Sequence, residues 1–62
     1  MNHKEWEKEV RKKLIDKEWT IPRLAVEVDR SPEWAYQQIS GRVVTTEGVR
    51  RISEKLEIES YL

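Results

Sequence analysis

Apolar residues recur along this chain at helical intervals, not at the alternating intervals of a strand. Trp6, Val10 and Leu14 stand at i, i+4 and i+8, while Glu5, Glu9, Arg11 and Lys13 point elsewhere around the same turns. That stripe predicts a first helix over about Lys4–Lys17. Ile21, Leu24, Ala25 and Val28 share one side of a second, shorter segment, Ile21–Val28. In a third, Trp34, Ala35, Gln38 and Ile39 face one way and Glu33, Tyr36, Gln37 and Ser40 largely the other. Val49, Ile52 and Leu56 form the stripe of a fourth, from about Thr46 to Glu57. Ile58, Tyr61 and Leu62 follow and are expected to close the bottom of the core.

Capping residues sharpen these boundaries. Thr20 can accept a hydrogen bond from an orphan amide of the second helix, and Pro22 falls in its first turn, where a missing N–H costs little. Ser31 and Pro32 repeat that arrangement for the third helix, with Glu33 beside the positive end of the helix dipole. Gly41 is a helix-ending residue, and Asp29 tolerates the left-handed backbone that a break at Asp29–Arg30 needs. The expected fold is all-α, a compact bundle of four to five short helices in one domain spanning 1–62.

Composition limits what such a domain can do. A chain of 62 residues buries only ~60% of the surface its unfolded form exposes, and with no cysteine it has neither a disulfide nor a thiolate metal site to staple it. Stability must come from apolar side chains, with Trp6, Trp19 and Trp34 supplying much of the buried area. No apolar run approaches the ~20 residues of a membrane span. The N-terminal MNHKEWEKEV lacks the apolar centre of a signal peptide. The expectation is therefore cytoplasmic, with no membrane partner.

Twelve basic and twelve acidic residues give a formal net charge of zero, so no global field attracts a polyanion. The split is nearly even along the chain: six basic against five acidic over residues 1–19, three against three over 20–42, and three against four over 43–62. Any nucleic-acid contact has to use local arrangement. The KEWEKEVRKK run reads as a solvated helix face laced with pairs such as Glu7–Arg11 and Glu9–Lys13. His3 is the only histidine, placed in a terminus expected to fray. With Glu7 it offers at most two metal ligands, which do not make a site. Nothing else suggests catalysis, so neither an enzyme activity, a cofactor nor a small-molecule substrate is expected.

The turn Asp29–Ser31, about three residues between two short helices, has the spacing of a helix-turn-helix, here covering about residues 20–41. Ala25 permits close approach, and Leu24, Val28, Ala35 and Ile39 can form the shared interface. LAVEVDRSPEWAYQQISGR, residues 24–42, resembles the helix-turn-helix of the Cro/CI-like (XRE) family of phage-type transcriptional regulators. Leu24-Ala25, Asp29, Ser31, Trp34 and Gly41-Arg42 match its loose motif, Trp19-Thr20-Ile21 resembles its run-in, and Val49, Ile52 and Leu56-Glu57-Ile58 resemble its closing helix. Asp29 stands where the family has glycine. Arg30 stands where it has an inward apolar residue, so its stem is expected along the core with its head in water. Gln38 stands where Ile or Leu is usual, with Ile39 expected to take over the packing.

The resemblance implies a lambda-repressor-like DNA-binding domain in a prokaryotic or phage-infected cell, repressing by promoter occupancy. It implies double-stranded DNA as partner, with a weak homodimer on a near-palindromic operator whose half-sites lie ~34 Å apart. The base-contacting positions it implies are Pro32, Glu33, Tyr36 and Gln37. A Gln amide can pair with both N6 and N7 of adenine, and a Glu carboxylate can accept from cytosine N4. Thr20, Arg23, Arg30, Ser31, Ser40 and Arg42 are the phosphate candidates, which fix register without reading sequence. Arg50 and Arg51 can add charge if the last helix faces the backbone. Outside that frame Gln37 and Gln38 are ordinary solvated helix formers, Tyr36 needs no special role, and Trp34 reads as core. The alternative is a protein-binding module, such as an antirepressor, using Trp6, Trp19, Tyr61 and Leu62 as interface.

Overall fold

The computed structural model describes Met1–Leu62 and contains four helices and no strand: α1 (His3–Lys17), α2 (Ile21–Glu27), α3 (Pro32–Ser40) and α4 (Thr46–Leu56). No fifth helix forms. Every helix starts on a side-chain cap. Thr20, Ser31 and Thr45 accept from the amides of Arg23, Trp34 and Gly48, and Asn2 and Glu5 make a reciprocal capping box. Asn2 thus extends α1 one residue beyond the expected start, and the N-terminus is capped instead of frayed. Three helices end on a left-handed residue that is not glycine: Glu18 (φ 59°), Asp29 (φ 59°) and Glu57 (φ 57°). In each case the next amide reaches back five residues, as from Arg30 to the Ala25 carbonyl at 2.9 Å. This device ends α2 at Glu27 and α4 at Leu56, one residue short of the expected boundaries.

The stripes meet as their spacing requires. Trp6, Val10, Leu14, Leu24, Val28, Ile39, Val49, Ile52 and Leu56 form one cluster, with Trp19, Ile21, Trp34, Ile58 and Tyr61 packed around it. Ala25 and Ala35, fully buried, let α2 and α3 approach, and these two helices make the most extensive contact in the domain. Trp6 is completely buried, so it has no surface to offer an interface partner. Its indole N–H donates to Ser53 Oγ at 2.8 Å, and that hydroxyl donates to the Val49 carbonyl at 2.7 Å. A buried polar handle is thereby satisfied inside the core. No helix is long and apolar enough to cross a membrane.

Two residues behave differently from the expectation. His3 is half-buried and joins three parts of the chain. A carbonyl oxygen can only accept, so Nε2–H donates to Ile39 O (2.9 Å), and in the neutral ring Nδ1 accepts from the Tyr61 hydroxyl (2.6 Å). Its ring also lies 5.3 Å from that of Trp6. Gln38, at 1% exposure, is as buried as Ile39 and has not ceded its place. Its Oε1 accepts from the Thr45 amide (3.1 Å) and its Nε2 donates to Thr45 Oγ1 (3.2 Å). The same Thr45 oxygen caps α4 through Gly48 N at 2.9 Å. A polar residue fits here because the loop it faces has its own backbone donor to satisfy.

Candidate nucleic-acid interface

The α3 backbone sorts its side chains into two groups. Ala35, Gln38 and Ile39 are buried and Trp34 is half-buried, which fixes the helix to the domain. Pro32, Glu33 and Tyr36 lie exposed on the other side, and Gln37 is half-buried at their edge. None of Glu33, Tyr36 and Gln37 makes a side-chain hydrogen bond within the chain. The Gln37 main-chain carbonyl, by contrast, receives the amides of Gly41, Arg42 and Val43 at 3.1, 3.1 and 3.3 Å. Ser40 Oγ also donates to it at 3.4 Å. The end of α3 is tied down while its outer side chains stay free. All four base-contacting candidates are thus on one short helix, α3, along one side of it.

The phosphate candidates divide by what already holds them. Thr20 and Ser31 are exposed, but their hydroxyl oxygens cap α2 and α3, which leaves the hydroxyl hydrogens free to donate. Arg23 Nε donates to Glu27 Oε2 at 2.9 Å, and its guanidinium lies 5.1 Å from the Trp19 ring. Lys17 approaches the same indole at 5.0 Å. Arg30 was expected to keep its head in water. It is exposed, and in that position its guanidinium lies 4.9 Å from the Trp34 ring and donates to Glu47 Oε1 at 2.9 Å. Half-buried Ser40 is spent on α3 itself. Arg42 is exposed and has no ion pair. On α4, Arg50 is bound to the Leu62 carbonyl at 2.9 Å, while Arg51 is exposed.

Elsewhere the surface is plain. Glu7 and Arg11 form the expected pair at 3.0 Å, whereas Glu9 and Lys13 do not pair. An open groove of about 440 Å³ runs between the α2–α3 turn and the end of α4, lined among others by Glu27, Asp29, Arg51 and Glu54. A second, about 300 Å³, lies between α1 and the start of α2 beside Leu14, Ile15, Trp19 and Ile21. Neither includes an α3 residue. Glu47 had no signal in the sequence, because its partner stands seventeen residues earlier on a different element. Thr45 did carry one, as a cap residue just before the fourth stripe, but nothing in the sequence set Gln38 against it. Known protein families, curated proteins and solved structures contain no match to this chain.

Proposed function

We propose that this domain is a helix-turn-helix module of the Cro/CI type that binds double-stranded DNA sequence-specifically and represses transcription by occupying a promoter. The observation that carries the reading is the division of α3. Its inner side is locked by Ala35, Gln38 and Ile39, and its outer side presents Pro32, Glu33, Tyr36 and Gln37 without internal partners. Nine residues of helix measure about 13.5 Å, and a helix about 10–12 Å across fits a major groove ~12 Å wide. In that pose Gln37 reads adenine, Glu33 accepts from cytosine N4 and Tyr36 packs on a thymine methyl or a phosphate. Arg42, the free cation at the end of α3, holds the backbone together with the hydroxyls of Thr20 and Ser31. Two copies on half-sites one turn apart form the working complex, with no cofactor and no chemistry.

Selection from random duplexes by the pure protein tests this directly, with enrichment of a near-palindrome as the expected result. Gln37→Ala should then lose about 1–3 kcal/mol of discrimination at one or two positions. Arg42→Ala should weaken all sequences alike and flatten the salt slope by about 0.9. Equal loss across sequences in both variants would remove the Gln37 assignment. A second reading, a protein-binding module acting on another regulator, draws on the neutral net charge and on the exposed side chains of Val43 and Val44. No enrichment at low salt, with a salt-insensitive protein partner, favours that one.

A further inference from the structure

Residues 20–42 contain three arginines, and in-chain carboxylates hold two of them. The Arg23–Glu27 pair is an i,i+4 contact of the kind any helix makes. Arg30–Glu47 is different in kind. Arg30 lies in the turn that leads into α3, its guanidinium is 4.9 Å from the ring of Trp34 on α3, and Glu47 comes from the first turn of α4. Both side chains are accessible, 38% for Arg30 and 68% for Glu47. An ion pair so exposed adds little to stability, so the fold does not depend on it.

What the pair does control is the availability of a cation beside the candidate DNA-facing helix. A guanidinium presents a planar fork of donors that suits a carboxylate and a phosphate equally well. A carboxylate oxygen 2.9 Å from Arg30 Nη2 therefore takes up hydrogen-bonding capacity that a phosphate would use. We infer that Glu47 is an internal surrogate for a DNA phosphate: it occupies Arg30 and withholds that cation from the backbone, keeping sequence-independent affinity low. The inference rests on the DNA-binding reading and says how binding at that site is tuned. With Arg23 held by Glu27 as well, Arg42 is left as the unpaired arginine of this region. Non-specific binding is almost entirely phosphate contact, so a domain with few free cations depends on base edges for its affinity. The net charge of zero then acquires a use, since it suppresses binding to the vast excess of wrong sequences.

The test is Glu47→Gln, measured by fluorescence anisotropy on a selected duplex and on a shuffled duplex of the same composition. Release of Arg30 adds one phosphate contact. At 0.1 M salt that tightens both duplexes about three- to fivefold, the most an exposed pair can withhold, and steepens the salt slope by up to about 0.9. Glu59→Gln makes the same change in net charge on an exposed residue remote in sequence from Arg30, and it should leave both affinities within about twofold. Adding Arg30→Gln to Glu47→Gln should abolish the gain. Thermal melts of all variants check that each is folded. A Glu47→Gln effect no larger than that of Glu59→Gln, or a gain that survives Arg30→Gln, overturns the inference while leaving DNA binding intact. Wild-type protein that binds neither duplex at low salt overturns the DNA-binding reading, and this inference with it.

Discussion

Gly48→Ala ought to stabilise this protein, by the usual rules for helices, and we expect it to do the opposite. Gly48 lies inside α4, where alanine is worth about 0.8–1 kcal/mol more than glycine. A Cβ built on Gly48, however, falls 2.3 Å from Gln38 Cδ and Oε1 and 2.8 Å from Nε2. The amide has to move. A surface glutamine would simply swing away, but Gln38 is 1% exposed and bonded twice to Thr45. Displacing it loses two hydrogen bonds at about 1 kcal/mol each and forces an off-rotamer side chain at about 0.5–1.5 kcal/mol. Against the propensity gain, the net is about 1.5–2.7 kcal/mol of destabilisation. In a domain of this size that lowers the melting temperature by about 6–22 °C.

The decisive comparison is with Gln38→Ala as background. That variant alone is destabilised, because it opens a void and leaves the Thr45 amide without its acceptor. With the obstruction gone, adding Gly48→Ala should now raise stability by about 0.5–1 kcal/mol, so the same substitution changes sign between backgrounds. Thermal and urea denaturation of the four proteins measure the cycle. If Gly48→Ala stabilises the wild type, or has the same effect in both backgrounds, the packing of Gln38 against Gly48 is not what holds α3 to α4.

Two further predictions concern the interior. Ser53→Ala removes the acceptor of the Trp6 indole N–H and should cost about 1–3 kcal/mol by urea denaturation, with wild-type stability refuting the role of that hydrogen bond. Burial raises the Tyr61 hydroxyl above its ordinary value of 10.0 by disfavouring the charged phenolate. A folded-state pKa above the unfolded one gives stability that is intact below pH 10 and falls as the pH rises through the folded value. Tyr61→Phe should lose that decline in an alkaline stability profile, and a profile parallel to wild type would refute it.

The relation of sequence to structure differs by element. Asp29 is informative: its tolerance of a left-handed backbone could be read from residue type, and it ends α2 at φ 59°. Glu18 and Glu57 adopt the same conformation without any compositional cue, because packing on either side stops the helix there. The candidate interface divides likewise. Periodicity alone separated Glu33 and Tyr36 from Ala35 and Ile39. It could not tell that Arg30 would be held over Trp34 by a carboxylate from α4. Gln38 departs from the apolar residue that the resemblance implies, and the Thr45 amide that it accepts from lies on the following loop, where a helical stripe does not show it.

What the sequence determined by itself is local: four helices, their Thr20, Ser31 and Gly41 ends, and the stripes that become the core. These follow from interactions between residues no more than about four apart, through capping and the 3.6-residue repeat. Tertiary structure alone decided the rest. His3 meets Tyr61 and Ile39 across 58 and 36 positions, Trp6 meets Ser53 across 47, and Arg30 meets Glu47 across 17. A sequence shows which side chains carry donors and acceptors, but not which pairs come within 3 Å. That depends on how whole helices pack, and small offsets between helices exchange one partner for another.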